Sequence, residues 1–280
     1  MSCYYQLPEL SPEEKKLPLA RYYEEYPLYR LPPLQQQLID NGPLDPADAL
    51  PVECWLDLLQ EPGNYDNMVK FGYCMLPDGT GYYAEYTVVP ETPEYMKKWF
   101  MNFINRRSKN MPCDQGNLRY KLWCPIDHWD RGFVNGVDIK AGTWSIGSLD
   151  QGKTERRAHA KEYVHMIDLR EYGLSEERRR RLEETGCRIS AGWEDFEGEP
   201  GHHLWIHIDR PCPFGGVEMI GVEWLGWYVK DGKLIRDAST PASEEMVRDI
   251  LVHNAVEHMH LPQILPDLYD EYKDRPIDAD

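Results

Sequence analysis

The segment Leu251-Val-His-Asn-Ala-Val-Glu-His-Met-His-Leu-Pro262 sets His253 and Glu257 four residues apart. In a helix that spacing stacks the two side chains on one face, one turn apart. Met246 and Ile250 fall on the same face at i−7 and i−3 from His253, so the polar pair continues an apolar stripe and is expected to point inward. A buried carboxylate beside a buried imidazole is costly unless something pairs with both, and a divalent metal would do so. A surface ion pair or a hydrogen-bonded core histidine has the same spacing.

Two further ligands would complete a four-coordinate site. His128 stands in Cys124-Pro-Ile-Asp-His-Trp, with Tyr120 eight residues before it and Glu155 27 residues after it. Taken singly, each also reads as an ordinary core, loop or solvated residue. The stretch His203-Leu-Trp-Ile-His207 is sharper. Period two puts His203, Trp205 and His207 on one face of a strand and Leu204, Ile206 and Ile208 on the other. That pattern fits a polar pocket wall and equally a half-solvated face.

These residues need elements to hold them. Residues 1–65 are broken by Pro8, Pro12, Pro18, Pro27, Pro32, Pro33, Pro43, Pro46 and Pro51. Short helices are expected there around Ser11–Lys16 and Pro46–Gln60. A segment so broken buries little alone, so it is expected to pack on the main domain or on a second subunit. Residues 66–280 read as that domain. Strands are expected at Gly81–Val89, Leu118–Cys124, Thr143–Gly147, Arg156–Leu169, Leu204–Asp209 and Val217–Val229. Helices are expected over Glu91–Asn105 and, with Thr240 as cap and Pro262 as terminator, over Pro241–Met259. The plan is α+β: a curved antiparallel sheet gripping one long C-terminal helix, with His253 and Glu257 in the cavity between them.

Composition narrows the function classes. A chain of 280 residues with 41% hydrophobic and 12% aromatic residues has the material for a sizeable core. Its net charge of −17 argues against a nucleic-acid partner. The basic run Arg178–Arg181 is flanked by glutamates and reads as a solvated helix face. Seven scattered cysteines without a C-x-x-C pair fit a reduced, cytoplasmic setting. No stretch approaches the roughly 20 apolar residues of a membrane helix, and no secretory leader is expected from the first residues. Phosphate-loop, dinucleotide and nucleophile-elbow motifs are absent.

Four blocks together resemble a known family. They are Arg119-Tyr-Lys-Leu-Trp-Cys-Pro-Ile-Asp-His128; Gly142-Thr-Trp-Ser-Ile-Gly147 leading to Glu155; His207-Ile-Asp-Arg210 with Gly216-Val-Glu-Met219 and Trp224-Leu-Gly226; and His253-Asn-Ala-Val-Glu257 with Leu265-Pro-Asp-Leu-Tyr269. The chain is similar to the 2,4-diacetylphloroglucinol and phloretin hydrolases. The resemblance implies a helix-grip fold like that of START and birch-pollen-allergen proteins, preceded by a small helical segment that helps form a homodimer. It implies cleavage of the carbon–carbon bond between an acyl carbonyl and a polyhydroxylated ring, giving a phenol and a carboxylic acid. It also implies one zinc ion (Zn2+) held by His128, Glu155, His253 and Glu257, with Glu162 the alternative second carboxylate. Tyr120 and His207 match pocket residues and are expected to move protons, His203 being the other histidine of that wall. The chemistry suits a ring hydroxylated ortho or para to the acyl group, because such a ring can tautomerise to a β-diketone before its acyl carbonyl is attacked. The competing expectation is a non-catalytic helix-grip carrier for a flavonoid-like ligand, which a metal assay would distinguish.

Overall fold

The computed structural model describes residues 4–90, 92–106, 116–134, 137–143, 146–151 and 160–276. The prolines of the first sixty residues divide them into single turns and short helices. A 3-10 turn spans Glu14–Lys16, α1 Ala20–Glu25 and α2 Pro33–Asp40, and 3-10 turns follow at Pro46–Asp48 and Val52–Leu58. Ser11 and Glu14 form a reciprocal cap: the Glu14 N–H donates to Ser11 Oγ (3.2 Å) and the Ser11 N–H to Glu14 Oε2 (2.9 Å). Most large apolar side chains of this segment are covered by their own chain. Leu19, Tyr22 and Tyr23 pack with Leu261, Leu265 and Tyr272, while Tyr5, Leu28 and Leu31 pack with Val247, Leu251 and Ala255. Tyr4, Tyr29, Leu34 and Leu38 stay exposed.

The rest alternates short helices with strands. In chain order come β1 (Gly72–Met75), β2 (Gly81–Val89), α3 (Glu94–Ile104), α4 (Leu118–Lys121), β3 (His128–Val134), β4 (Val137–Gly142), α5 (Ile146–Asp150), β5 (Ala160–Met166), α6 (Glu176–Glu184), β6 (Arg188–Phe196), β7 (Glu199–Pro211), β8 (Val217–Leu225), β9 (Trp227–Lys230), β10 (Lys233–Arg236) and α7 (Glu244–Tyr272). Among the described residues eight strands form one antiparallel sheet in the order β1-β2-β8-β7-β6-β5-β4-β3, and β9 and β10 form a separate ribbon. The architecture is α+β, with α7 lying against β1 and β2.

One face of the sheet is apolar. Ala191, Leu204, Ile206, Ile208, Ile220, Val222 and Trp224 are buried there with Val52, Trp55, Leu58 and Leu182. Period two turns His203, Trp205, His207 and Glu223 to the other face, towards α7. Gly192 pairs with Trp205 across β6 and β7, and a Cβ at Gly192 would come within 2.6 Å of the indole. The charged run Arg178–Arg181 lies on α6, where Arg179 pairs with Glu176 and Glu183. Among the described residues no helix is long and apolar enough to cross a membrane, and the five described cysteines are free.

Four expected elements are corrected. Leu118–Cys124 is the helix α4 and a turn, not a strand: Asn117 caps it by accepting from the Arg119 N–H (3.1 Å), and an unbroken run of burial from Leu118 to His128 leaves no alternation to set a strand. In Thr143–Gly147, β4 has already ended at Gly142 and α5 begins at Ile146. The Val217–Val229 strand is cut in two at Gly226, whose φ of 97° is open to glycine at little cost. The long helix starts after Ser243, which accepts from the Met246 N–H (3.2 Å), and not after Thr240. It also runs through Pro262 and Pro266 to Tyr272, because Leu261, Ile264, Leu265 and Leu268 are buried in one core with Leu19, Tyr22 and Tyr23 and hold the second half in place.

Candidate active site

A cavity of about 370 Å³ lies between the polar sheet face and α7, a size usual for small-molecule sites. From α7 it receives Met246, Ile250, His253, Asn254, Glu257 and His258. The helical spacing therefore does point His253 and Glu257 inward, and both are buried. His128, the first residue of β3, reaches the same point. Its Nε2 is 3.2 Å from Glu257 Oε2, and His253 Nε2 is 3.6 Å from that oxygen.

The tautomers make this convergence informative. His128 Nδ1 donates to the Tyr120 carbonyl (3.2 Å), and His253 Nδ1 donates to Asp127 Oδ2 (2.9 Å). In the neutral rings both Nε2 atoms then carry lone pairs, and both face Glu257 Oε2, which is buried and accepts no hydrogen bond. Three lone-pair donors at one point repel unless a cation sits between them, so these three residues fit a metal. Burial pushes the His128 imidazole down to about 4. Burial would raise Glu257, but His128 beside it and then His253 pull it to about 2, so His128 is held neutral and Glu257 ionised, the forms in which each binds a metal. Burial lowers His253, but Cys124 and Asp127 outweigh it and raise this imidazole, so its proton has to leave when a cation binds. Cys124 Sγ also lies near both histidines. It sits on the Nδ1 side of His253 (3.8 Å), where Asp127 already binds, and burial raises its thiol to about 11; it is a poor ligand.

Glu155 lies outside the described residues. Glu162, on β5, lines the cavity but has no ion pair with His128, His253 or Glu257. Tyr120 lines the cavity and stacks flat on His128, ring centroids 3.9 Å apart at 6°. Helix α4 and the turn after it bring the two together, in place of the strand expected over Leu118–Cys124. His207 also lines the cavity, and burial first, then the nearby His258, Lys97 and Lys140, holds it well below the usual imidazole range. Of the tryptophans, Trp123 and Trp205 face the cavity, whereas Trp224 is core and donates to the Leu50 carbonyl (2.9 Å).

Several site residues are not singled out by the sequence. Asp127 is fully buried, accepts from the Thr143 hydroxyl and the Ile146 N–H (each 3.2 Å), and so orients His253 from a fixed base. On β2, Glu85 accepts from His258 Nδ1 (2.7 Å) and from Thr87. Tyr83 and Glu85 alternate along that strand on the side facing α7, a polar parity within a buried strand that could have flagged them. Among the described residues the cations lining the cavity are paired: Lys97 with Asp209, Arg131 with Asp138 (2.7 Å), Lys140 with Glu194 (2.7 Å) and Arg188 with Glu94 (3.1 Å).

Comparison with known proteins gives two findings. A family model described as DAPG hydrolase PhiG domain matches residues 55–270. Over 276 residues the chain is 24% identical to a 2,4-diacetylphloroglucinol hydrolase from Pseudomonas sp, spanning 91% of this chain and 88% of that protein.

Proposed function

The chain belongs to the DAPG hydrolase PhiG domain family, and from that premise we propose that it is a zinc-dependent hydrolase of acylphloroglucinol or phloretin-like ketones. The observation that carries this reading is the meeting of His128 Nε2, His253 Nε2 and the unpartnered Glu257 Oε2 inside the cavity. These three would hold the ion with Glu155 as the fourth ligand. When bound, zinc supplies Lewis acidity for the acyl carbonyl.

The chain's own residues handle the ring. Trp123 and Trp205 give flat walls. Tyr120, whose hydroxyl burial keeps well above its usual range, is a proton donor beside the ligand cluster. His207, neutral at pH 7, accepts a proton from a ring hydroxyl. As that proton leaves, the Tyr120 hydroxyl gives one to the ring carbon bearing the acyl group, and the ring becomes a β-diketone. Water then adds to the acyl carbonyl, the carbon–carbon bond breaks with its electron pair returning to the ring, and the proton shed by the added water returns to the Tyr120 oxygen. His207 gives its proton back to the ring oxygen, leaving a phenol and a carboxylic acid.

The sheet with α7 across it supports a helix-grip fold, and the exposed Tyr4, Tyr29, Leu34 and Leu38 support a homodimer made through residues 1–65. Light scattering should give a dimeric mass; a monomer would count against that contact. For the activity, elemental analysis should find about one zinc per chain, and an acylphloroglucinol panel should be cleaved while ring-methylated analogues are not. His253→Ala, Glu257→Gln and Glu155→Ala should lose both zinc and turnover, whereas Tyr120→Phe and His207→Ala should keep zinc and lose turnover. Full zinc in Glu155→Ala would remove that ligand. A zinc-bound protein that cleaves no member of the panel would favour a carrier.

A further inference from the structure

We propose that His203, braced by Glu223, forms with Glu162 a subsite on the sheet side of the cavity that reads a ring hydroxyl of the bound substrate. The inference rests on the hydrolase reading above and adds the residues that choose the ring.

β7 turns His203 into the cavity, and the side chain is almost wholly enclosed. Its Nδ1 lies 2.9 Å from Glu223 Oε1. Two lone pairs cannot approach so closely, so Nδ1 carries the proton and Nε2 of the neutral ring is an acceptor. No protein partner meets Nε2 among the described residues. Glu223 is itself fixed: the Tyr83 hydroxyl donates to its Oε2 (2.8 Å), and Asn254 Nδ2 donates to the Tyr83 hydroxyl (2.8 Å). The Phe196 ring meets the imidazole edge to face at 4.7 Å and blocks its rotation.

Glu162 stands one strand beyond Phe196, its cross-strand partner. Its other cross-strand neighbour, Lys140, is already bound to Glu194, and among the described residues Glu162 has neither a hydrogen bond nor an ion pair. With Lys97, Arg131 and Lys140 in ion pairs, an acceptor nitrogen and a carboxyl without an ion pair are what this wall offers. A phenolic hydroxyl can donate to either; a methoxyl, with no proton to give, leaves Nε2 unpaired.

Calorimetric titration of phloroglucinol and of 1,3,5-trimethoxybenzene into the zinc-loaded protein tests this. The wild type should bind the triol and not the trimethyl ether. His203→Ala should weaken triol binding by about 10- to 100-fold, with zinc content unchanged, and His203→Gln, which keeps an acceptor, should recover part of the loss. Glu162→Gln should bind nearly as the wild type, and Glu162→Ala more weakly. With an acylphloroglucinol, KM should rise more than kcat falls in His203→Ala. Unchanged triol affinity in both alanine variants would overturn the subsite, and loss of zinc in Glu162→Gln would remove Glu162 from it. If the triol binds through His203 but no acylphloroglucinol is cleaved, the subsite stands and the hydrolase reading falls. Cleavage that ignores His203→Ala has the opposite meaning.

Discussion

Two imidazole lone pairs aimed at one carboxylate oxygen are held there by what lies behind the rings. Asp127 fixes His253 through Nδ1, and the Tyr120 carbonyl does the same for His128. Asp127→Ala should let the His253 ring turn and take the other tautomer, lowering metal affinity by about 10- to 100-fold. Competition against a chromophoric chelator would measure it, and Asp127→Asn, which keeps an oxygen acceptor, should recover much of the loss. Equal affinity in Asp127→Ala would mean that packing alone orients the ring. At this scale the helical pair His253 and Glu257 was legible because two residues one turn apart must share a face. Asp127 was not, because an aspartate before a histidine looks the same in sequence whether it is buried or solvated. The His207 wall followed from strand period two, but the partners of His203 come from β8 and β2 and only pairing reveals them.

Helix α7 does two jobs along its length. Its first half carries the ligands, and its second half, past Pro262, packs against the N-terminal segment. His260 lies between the two and is buried, and neither ring nitrogen has a hydrogen-bond partner among the described residues. Burial holds its imidazole at about 4. An unfolded histidine takes up a proton near pH 6.5, whereas this folded one refuses it until about 4, so stability is lost as pH falls through that window. His260→Leu should flatten this loss by roughly 2–3 kcal/mol, read from urea melts at pH 7 and pH 4.5; parallel losses in both proteins would show that other groups titrate. The proline rule placed the helix end too early because burial of Leu261, Ile264, Leu265 and Leu268 outweighs two missing N–H donors, a balance invisible in local sequence. Strands β3, β4 and β6 escaped notice for a related reason: Arg131, Asp138, Lys140 and Glu194 point to a polar cavity, which blurs the apolar alternation a strand usually shows.

Across the whole molecule, the N-terminal segment is tied to the turn that carries Tyr120, Asp127 and His128. Glu14 pairs with Lys121, both buried, and the Tyr23 hydroxyl donates to the Pro125 carbonyl (3.1 Å). Glu14→Gln should remove this carboxylate from a buried lysine and destabilise the fold by about 3 kcal/mol, measurable by chemical denaturation; a loss near zero would mean that the lysine's other contacts hold its charge. The two-part plan of a broken leading segment and an α+β body was legible from proline spacing and the final helix. The intimacy between the parts was not, since Glu14 and Lys121 are joined only by the fold. Sheet order has a further effect, felt while the chain is being made. Strand β2 (Gly81–Val89) pairs with β8 (Val217–Leu225), so β2 leaves the ribosome long before its partner has been translated. His253 and Glu257 emerge later still. Nascent chains stalled short of Val217 should therefore stay open to protease, with the β8-side edge of β2 unpaired and inviting association. Protection should arrive together once α7 has cleared the exit tunnel, and the metal can be gripped only then; protection that builds strand by strand would show that the early strands find other partners while they wait.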